Sequence, residues 1–533
     1  MSGRYSGSPN SGVSFLSNIL GISVSRMYVL LGTKYSIFGI ILIVSNFLVM
    51  LSLITLAKIQ SSKFINWILI VVSILLIPVL VLSPTFTITA LLLCGTGLIG
   101  IFSLLFQTKL HFFSLFLFIF SIVLGLLLRE DAFSGIIIFL LPTLIIVFVL
   151  EYKKINSRIY LKVIGTLLFI VISIFTIDKL VFRFVTNLNV RYMEYINFQN
   201  VLNTYTPGSL KLHQAIISGD AMSNIWSNID FIILRNWAYA DYSIFGFQNM
   251  LIGSQFVSNY SGLSGLINSD FSETLFVMSD FLEPMSLILI LLFSIALFMI
   301  FFSKFRYQAL LINFLLLLNY FFGFYYLAAV LRIPTRTSFP LLILAALLVV
   351  IVNIKKLNLI SNKNMYPKTL LITILIFFSY IFHTQNEFGY FQLKEQNESK
   401  LNFSSQRNQE LDNFSKYATY VGPVSYFPIS NQGVFLKNTF WSTGERTLPL
   451  SWATYSPYWY DLAKDLDLNE SNIYISLATK KNVYWVSDAY LAEILNYYMN
   501  DRNIYRGKLC SVKKLSGKDN AEIFTYQAKE TDC

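Results

Sequence analysis

Ten blocks of mostly apolar residues, each about the length of a bilayer crossing, govern what this chain can become. A spanning helix needs about 17–25 such residues, because every backbone amide within lipid must find its partner inside the protein. The blocks lie near residues 36–56, 65–82, 85–106, 110–128, 133–150, 163–181, 285–303, 308–331, 338–354 and 368–383, the last being the shortest. Several contain Gly, Pro or Ser, which bundled membrane helices tolerate. Pro84 behind Ser83 reads as a cap and first-turn proline opening the third block. Of 533 residues, 55% are hydrophobic and 13% charged, roughly half the charged share of a soluble protein. That excludes a wholly soluble protein, a disordered chain and a disulfide-stapled secreted scaffold. The fold class expected is an all-α polytopic membrane bundle of about 10 spans, with an interfacial N-terminal helix and a C-terminal soluble α/β domain. Its divisions are 1–35, a bundle over 36–383 and the soluble domain over 384–533.

The charges give the bundle a direction. The formal net charge is +11. Its excess sits in short loops between apolar blocks, so it reports topology and gives no reason to expect a nucleic-acid partner. One alternate set of loops holds Lys58, Lys63, Lys109, Lys153, Lys154, Arg158, Lys162, Lys304, Arg306, Lys355, Lys356, Lys363 and Lys368. The opposite set holds Ser83, then Arg129, Glu130 and Asp131, the long segment 182–284, and Arg332 and Arg336. The lysine-rich set faces the cytoplasm. The expected location is the cytoplasmic (inner) membrane, with segment 182–284 and the C-terminal domain outside. Residues 1–35 then also fall outside, without a signal peptide. Segment 13–32 is patchily apolar, contains Arg26 and reads as an interfacial helix. Either this terminus is translocated directly or an initial span is lacking; the second is the favoured expectation.

Segment 182–284 is too long for an idle loop. Its aromatics and amides, with Asp220, Asp230, Asp241, Asp270, Glu273, Asp280 and Glu283, suggest short helices on the outer rim, with Trp226 and Trp237 at headgroup level. A plain capping role for the bundle is the alternative. In the tail, NIYISLA and NVYWVSD read as strands, and Asp488–Asn500 reads as an amphipathic helix behind an acidic cap. KLCSVKKL, SGKDN and AEIFTYQ read as a hairpin. WSTGERTLPLSWATYSPYWY suits sugar faces or an ordinary aromatic core. Cys94 reads as packing; Cys510 and Cys533 pair if their domain is exported and are otherwise free thiols. There is no P-loop, GxSxG, HExxH or dinucleotide fingerprint. His111, His213 and His383 are far apart in sequence, so no metal site is expected from histidines.

Two charged groups stand at the outer edge of the spans, where charge is costly. The turn Arg129-Glu130-Asp131 offers one carboxylate to a cavity while its neighbour pairs with Arg129; a solvated turn is the plain alternative. Arg332 and Arg336 lie in LRIPTRTSFP, an irregular loop at headgroup depth because of Pro334. Two guanidinium forks there suit a phosphate; snorkelling to ordinary lipid is the alternative.

Outward acids at span ends, an outward Arg-bearing loop before a late span and an exported α/β tail together resemble the GT-C class of polytopic glycosyltransferases. SPTFTITALLLCGTGL, LLLREDAF and WSNIDFIILRNWAYADYSIF also resemble a group of bacterial envelope proteins involved in surface polysaccharide, over roughly residues 80–350. The resemblance implies a bundle of about eleven to thirteen helices with its cleft on the outer face. It implies transfer of a sugar from a polyprenyl-phosphate donor to a glycan acceptor, with membrane lipid as the third partner. Carried over by position, Glu130 and Asp131 match the outer-loop acid, and Arg129, Arg332 and Arg336 the phosphate-binding groups. The class places its principal aspartate in the first outer loop, yet residues 1–35 contain no Asp or Glu. The catalytic role then falls to Glu130, Asp131 or Asp230, or the chain is truncated or inactive. No cofactor follows from the residues, and a divalent cation is the one left open. The competing expectations are an O-antigen-type glycan polymerase or ligase, and a non-catalytic assembly or transport protein. The spans carry few mid-depth charges and no repeated half, which lowers transport.

Overall fold

A computed structural model describes residues 16–31, 36–59, 63–82, 85–105, 107, 111–151, 157–188, 190–204, 227–236, 238–258, 275, 278, 306–330 and 335–357, and in the tail 406–407, 409–411, 413–415, 417–427, 446–451, 454–504, 506–516 and 520–527. The described bundle helices are α1 (Asn18–Leu31), α2 (Ile37–Ile59), α3 (Lys63–Leu82), α4 (Phe86–Leu104), α5 (Phe112–Leu128), α6 (Glu130–Glu151), α7 (Ser157–Leu188), α12 (Arg306–Val330) and α13 (Thr335–Leu357). Eight of the ten apolar blocks fall on them; blocks 285–303 and 368–383 lie outside the described residues. Among the described residues, Ile37–Ile59, Phe86–Leu104 and Lys162–Phe184 are long and apolar enough to cross a membrane. They mark the chain as membrane-associated.

Helix α4 is the hub. It packs against α2, α5, α6 and α13 and buries nearly all its side chains. Small residues permit this closeness, as in membrane bundles where apolar burial supplies little drive. A Cβ placed on Gly95 would stand 2.2 Å from Leu344 of α13, and one on Gly100 2.4 Å from the Phe118 ring of α5. Cys94 is free and buried, and a Cβ on Gly125 would press on its Sγ. A few buried hydrogen bonds pin the apolar faces. Ser52 and Ser121 meet at 2.9 Å; Asn46 Nδ2 donates to Leu80 O at 2.7 Å and its Oδ1 accepts from Thr89 at 2.7 Å.

Segment 13–32, expected as an interfacial helix, contains α1, which is anchored at its start. Ser17 N donates to Leu127 O at the end of α5, and Ile19 N and Asn18 Nδ2 donate to Asp178 of α7. One face buries Leu20, Val24 and Tyr28 against α7, α5 and α2, while Arg26, Met27 and Leu30 are exposed.

The second body is a five-stranded sheet with its helices. Strands β1 (Thr419–Pro423), β2 (Arg446–Leu450), β3 (Val483–Ser487), β4 (Lys508–Lys514) and β5 (Glu522–Gln527) lie in the order β2-β1-β3-β5-β4. β1 is parallel to both neighbours, and β5 is antiparallel to both of its own. The expected strand in NVYWVSD and the expected hairpin are both present. So is the expected helix, α16 (Ala489–Asp501), capped by Asp488, whose carboxylate accepts from Leu491 N at 2.8 Å. Cys510 is disulfide-bonded; the other half of that bond lies outside the described residues.

Two expectations need correction. NIYISLA is a helix, α15 (Ile473–Thr479), and not a strand. Its apparent alternation hides burial of Ile473, Tyr474 and Leu477, a helical face, and Asn472 caps it by accepting from Tyr474 N at 3.0 Å. The short helices of segment 182–284 do not merely rest on the bundle rim. Helices α8 (Val190–Thr204), α9 (Asn228–Arg235), α10 (Tyr242–Phe245) and α11 (Phe247–Ser258) share a core with the tail. Phe198, Ile233, Phe245 and Met250 pack in one cluster with Leu448, Trp459, Trp485 and Tyr498. The backbones are joined as well: Tyr242 N donates to Ser471 O at 2.8 Å and Ile473 N to Ala240 O at 3.1 Å. Trp226 and Trp237 lie outside the described residues.

Candidate functional site

The sequence singled out a turn and a loop 200 residues apart, so the first question is whether they share an end of the bundle. Asn319 of α12 donates to Phe139 O and Thr143 of α6, and Phe324, further along α12, packs on the same Phe139 ring. Positions rising along α12 therefore meet positions falling along α6, and the two helices are antiparallel. The end of α12 lies beside the start of α6. Helix α13 returns from that end after four residues, and its Leu344 meets Gly95 of α4. Both residues are nine positions into their helices, so the starts of α4 and α13 are level.

Three mutually packed helices, α4, α6 and α13, thus begin at one end of the bundle. Each helix start presents unpaired amides and about half a positive charge, which favours anions. Arg129 occupies the turn between α5 and α6. Its Nη1 donates to Thr87 Oγ1 at 2.6 Å and its guanidinium lies over the Phe86 ring, which ties the turn to the start of α4. Thr85 caps α4 by accepting from Ile88 N at 3.3 Å. Glu130 is the exposed first residue of α6, and Asp131 is the second. Arg336 is the second residue of α13. Arg332 lies outside the described residues.

Helix α7 rises past the same end. Asp178 and Leu127 both hold the start of α1, which places them at one level. The ten residues from there to Leu188 carry α7 about 15 Å further at 1.5 Å per residue. Helix α8 follows at once, and Arg191 lies over the Tyr460 ring of the sheet-bearing body, 5.1 Å from its centroid. That body is therefore joined to the bundle at the end where the acidic turn opens, and is called the outer module below, outer meaning only that it lies beyond this end of the bundle.

Asp230, the third candidate acid, sits apart from this turn. It is wholly buried. Its Oδ2 accepts from Ser227 N and Oγ, closing a capping box on α9, and forms an ion pair with Arg502 at the end of α16. Burial lowers the Arg502 pKa, but the hydrogen bond and charge of Asp230 outweigh it and hold the guanidinium above its ordinary value. Asp241 is its companion: Tyr498 Oη donates to its Oδ2 at 2.9 Å. Tyr498 and Arg502 are four residues apart on α16, hence on one face. That face holds two buried carboxylates of the 182–284 segment. Sequence reading missed Arg502 and Tyr498 because their partners lie more than 250 residues away.

No cluster of three or more His, Cys, Asp or Glu that could hold a metal occurs among the described residues. Compared with known proteins, the chain matches no protein family, no curated protein sequence and no solved structure.

Proposed function

We propose that the protein is a polytopic glycosyltransferase of GT-C type, transferring a sugar from a polyprenyl-phosphate donor during synthesis of a cell-surface polysaccharide. In this reading about ten spans cross the cytoplasmic membrane and the outer module faces outward. The disulfide at Cys510 supports that side, since such bonds persist in oxidising compartments. The observation that carries the reading is the meeting of three helix starts, the Arg129–Asp131 turn and the first residues of α13 at one end of the bundle.

The chemistry follows from that arrangement. A lipid-linked phosphate at headgroup depth is drawn to the helix starts and to Arg336, with Arg332 assigned to the same role. An acceptor hydroxyl, its proton taken by Glu130 or Asp131, attacks the anomeric carbon. The bond from that carbon to the phosphate oxygen breaks, and polyprenyl phosphate leaves with its charge stabilised by the helix amides and guanidinium groups. Asp230 holds the outer module together in this scheme and does not touch the substrate, and Arg129 positions the acidic turn.

Replacing Glu130→Gln together with Asp131→Asn is expected to abolish incorporation of one sugar into the surface glycan while the folded protein persists in the membrane. Glycan of unchanged composition from that double variant rejects the role of the pair.

A further inference from the structure

The joint between α8 and the tail holds an arrangement that the transfer chemistry does not use. Tyr242, the first residue of α10, is 38% exposed, and Tyr460 of α14 (Pro457–Asp465) is half-buried. Both flank Tyr455: Tyr242 meets that ring edge to face at 5.3 Å, and Tyr460 lies 6.3 Å from it. Arg191 covers Tyr460 from α8. Glu194, one turn further along α8 and exposed, lies within electrostatic reach of both Tyr242 and Tyr460, and Glu470 of Tyr460. Two partly open aromatic rings thus have a guanidinium over one of them and two carboxylates near enough to act on them, the charges coming from two separate stretches of chain.

The floor of this arrangement is unusual in a second, independent way. Tyr455 adopts φ 66°, a left-handed backbone that a bulky residue rarely takes and that is retained where surrounding structure imposes it. It is 3% exposed, yet its hydroxyl finds no hydrogen-bond partner among the described residues. The same holds for Nε1 of Trp459, 1% exposed and in edge contact with Tyr455 at 5.4 Å. Buried polar atoms are normally paired. Two orphans and a strained backbone beneath one aromatic platform mark a place shaped for more than packing.

The geometry points to a saccharide-binding site at Tyr242 and Tyr460, with Arg191, Glu194 and Glu470 taking the sugar hydroxyls. A pyranose presents an apolar C–H face to an aromatic ring and a rim of hydroxyls to charged groups, which is the combination gathered here. The ligand class rests on the glycan-synthesis reading, and the place rests on the geometry alone. Since α8 follows α7 at the end where the acidic turn opens, the site holds the growing glycan above the proposed transfer site.

The test uses the full chain in lipid nanodiscs. The probe is the di- to hexasaccharide fraction from partial acid hydrolysis of the host's own surface polysaccharide, read by saturation-transfer NMR. The wild type is expected to transfer saturation to sugar ring protons. A stacking contact is worth about three- to tenfold in affinity, so Tyr242→Ala and Tyr460→Ala should each weaken binding by about that factor. Tyr460→Phe and Glu194→Gln, which leave the packing in place, should weaken it less but measurably, and they decide the matter if an alanine variant fails to fold. No transfer in the wild type, or undiminished binding in the variants that fold, overturns the site. Binding by the wild type that is lost in the tyrosine variants, beside unchanged glycan after gene deletion, removes the transfer reading and leaves this site standing.

Discussion

The bundle and the outer module solve the packing problem with opposite materials. Around α4, glycines let helices approach until a single added carbon would collide, and a handful of Ser, Thr and Asn hydrogen bonds set the register. The outer module is filled with large rings: Tyr239, Tyr455, Tyr474, Tyr498, Trp459 and Trp485 are all buried there. It also buries two carboxylates, Asp230 and Asp241. In lipid, apolar surface gains nothing by leaving its surroundings, so close backbone contact must do the holding. In water, burying a ring of 150–250 Å² is itself a strong drive, and each phenol then needs a partner. The consequence is a division of labour, with the bundle end offering helix amides and charge and the module offering rings and carboxylates.

Alkaline pH should separate the two bodies most sharply. Burial, the first cause in each case, pushes the Tyr239, Tyr455, Tyr460, Tyr474 and Tyr498 phenols above the ordinary tyrosine value, and the nearby Asp241 adds to this for Tyr455, Tyr474 and Tyr498. Their unfolded forms ionise first, so this stabilisation is full below about pH 10 and is lost as pH rises from there toward the folded values. Each wholly buried tyrosine contributes a loss of up to about 1.4 kcal/mol per pH unit in that window, and the partly open Tyr460 less. Near-UV circular dichroism should show the module melting above pH 10 while bundle helicity, read in the far UV, persists. Simultaneous loss of both signals contradicts the division.

Breaking the Asp230–Arg502 pair comes next. Asp230→Ala leaves a half-buried guanidinium without its partner and should cost about 2–3 kcal/mol. Adding Arg502→Met should restore much of that, because removing both charges also removes their desolvation cost. Urea denaturation of the two variants, read by module fluorescence, checks the order. If Asp230 were itself a catalytic acid, the double variant would recover stability and still lose transfer.

In the bundle, Gly95→Leu should cost about 1–3 kcal/mol by forcing α4 and α13 apart. Thermal aggregation in nanodiscs measures this, and module fluorescence should not change. The smallest effect is expected from Ser52→Ala with Ser121→Ala. Hydrogen bonds between membrane helices are worth about 0.6 kcal/mol on average, so the loss should sit near the limit of the same assay.

The legibility of the chain follows this contrast. Eight apolar blocks became helices, and all but α7, which overruns its block at both ends, stop close to the ends read from length and apolarity, because a run of that length in lipid has few alternatives. The cap at Asp488 was legible because an N-cap acts on a backbone amide three residues away. Residues 472–478 misled because their alternation imitates a strand over one short turn, while the Asn472 cap was passed over. The union of 190–258 with the tail was invisible because its ties, such as Asp241 to Tyr498 and Tyr239 to Ser451, span over 200 residues. Charge had set the 129–131 turn and the 332–336 loop on one side, and the described starts of α6 and α13 lie at one end of the bundle. The reason they converge, three helices starting together, needed the packing of Gly95 on Leu344.

The decisive measurement is release of polyprenyl phosphate from a polyprenyl-phosphate sugar by the purified protein in nanodiscs, with the host's saccharide fraction as acceptor. The expected result is release with the wild type, none with Glu130→Gln and Asp131→Asn, and strong reduction with Arg336→Ala. Absence of release by a folded wild type, or equal release by the carboxylate variant, contradicts sugar transfer at this end of the bundle.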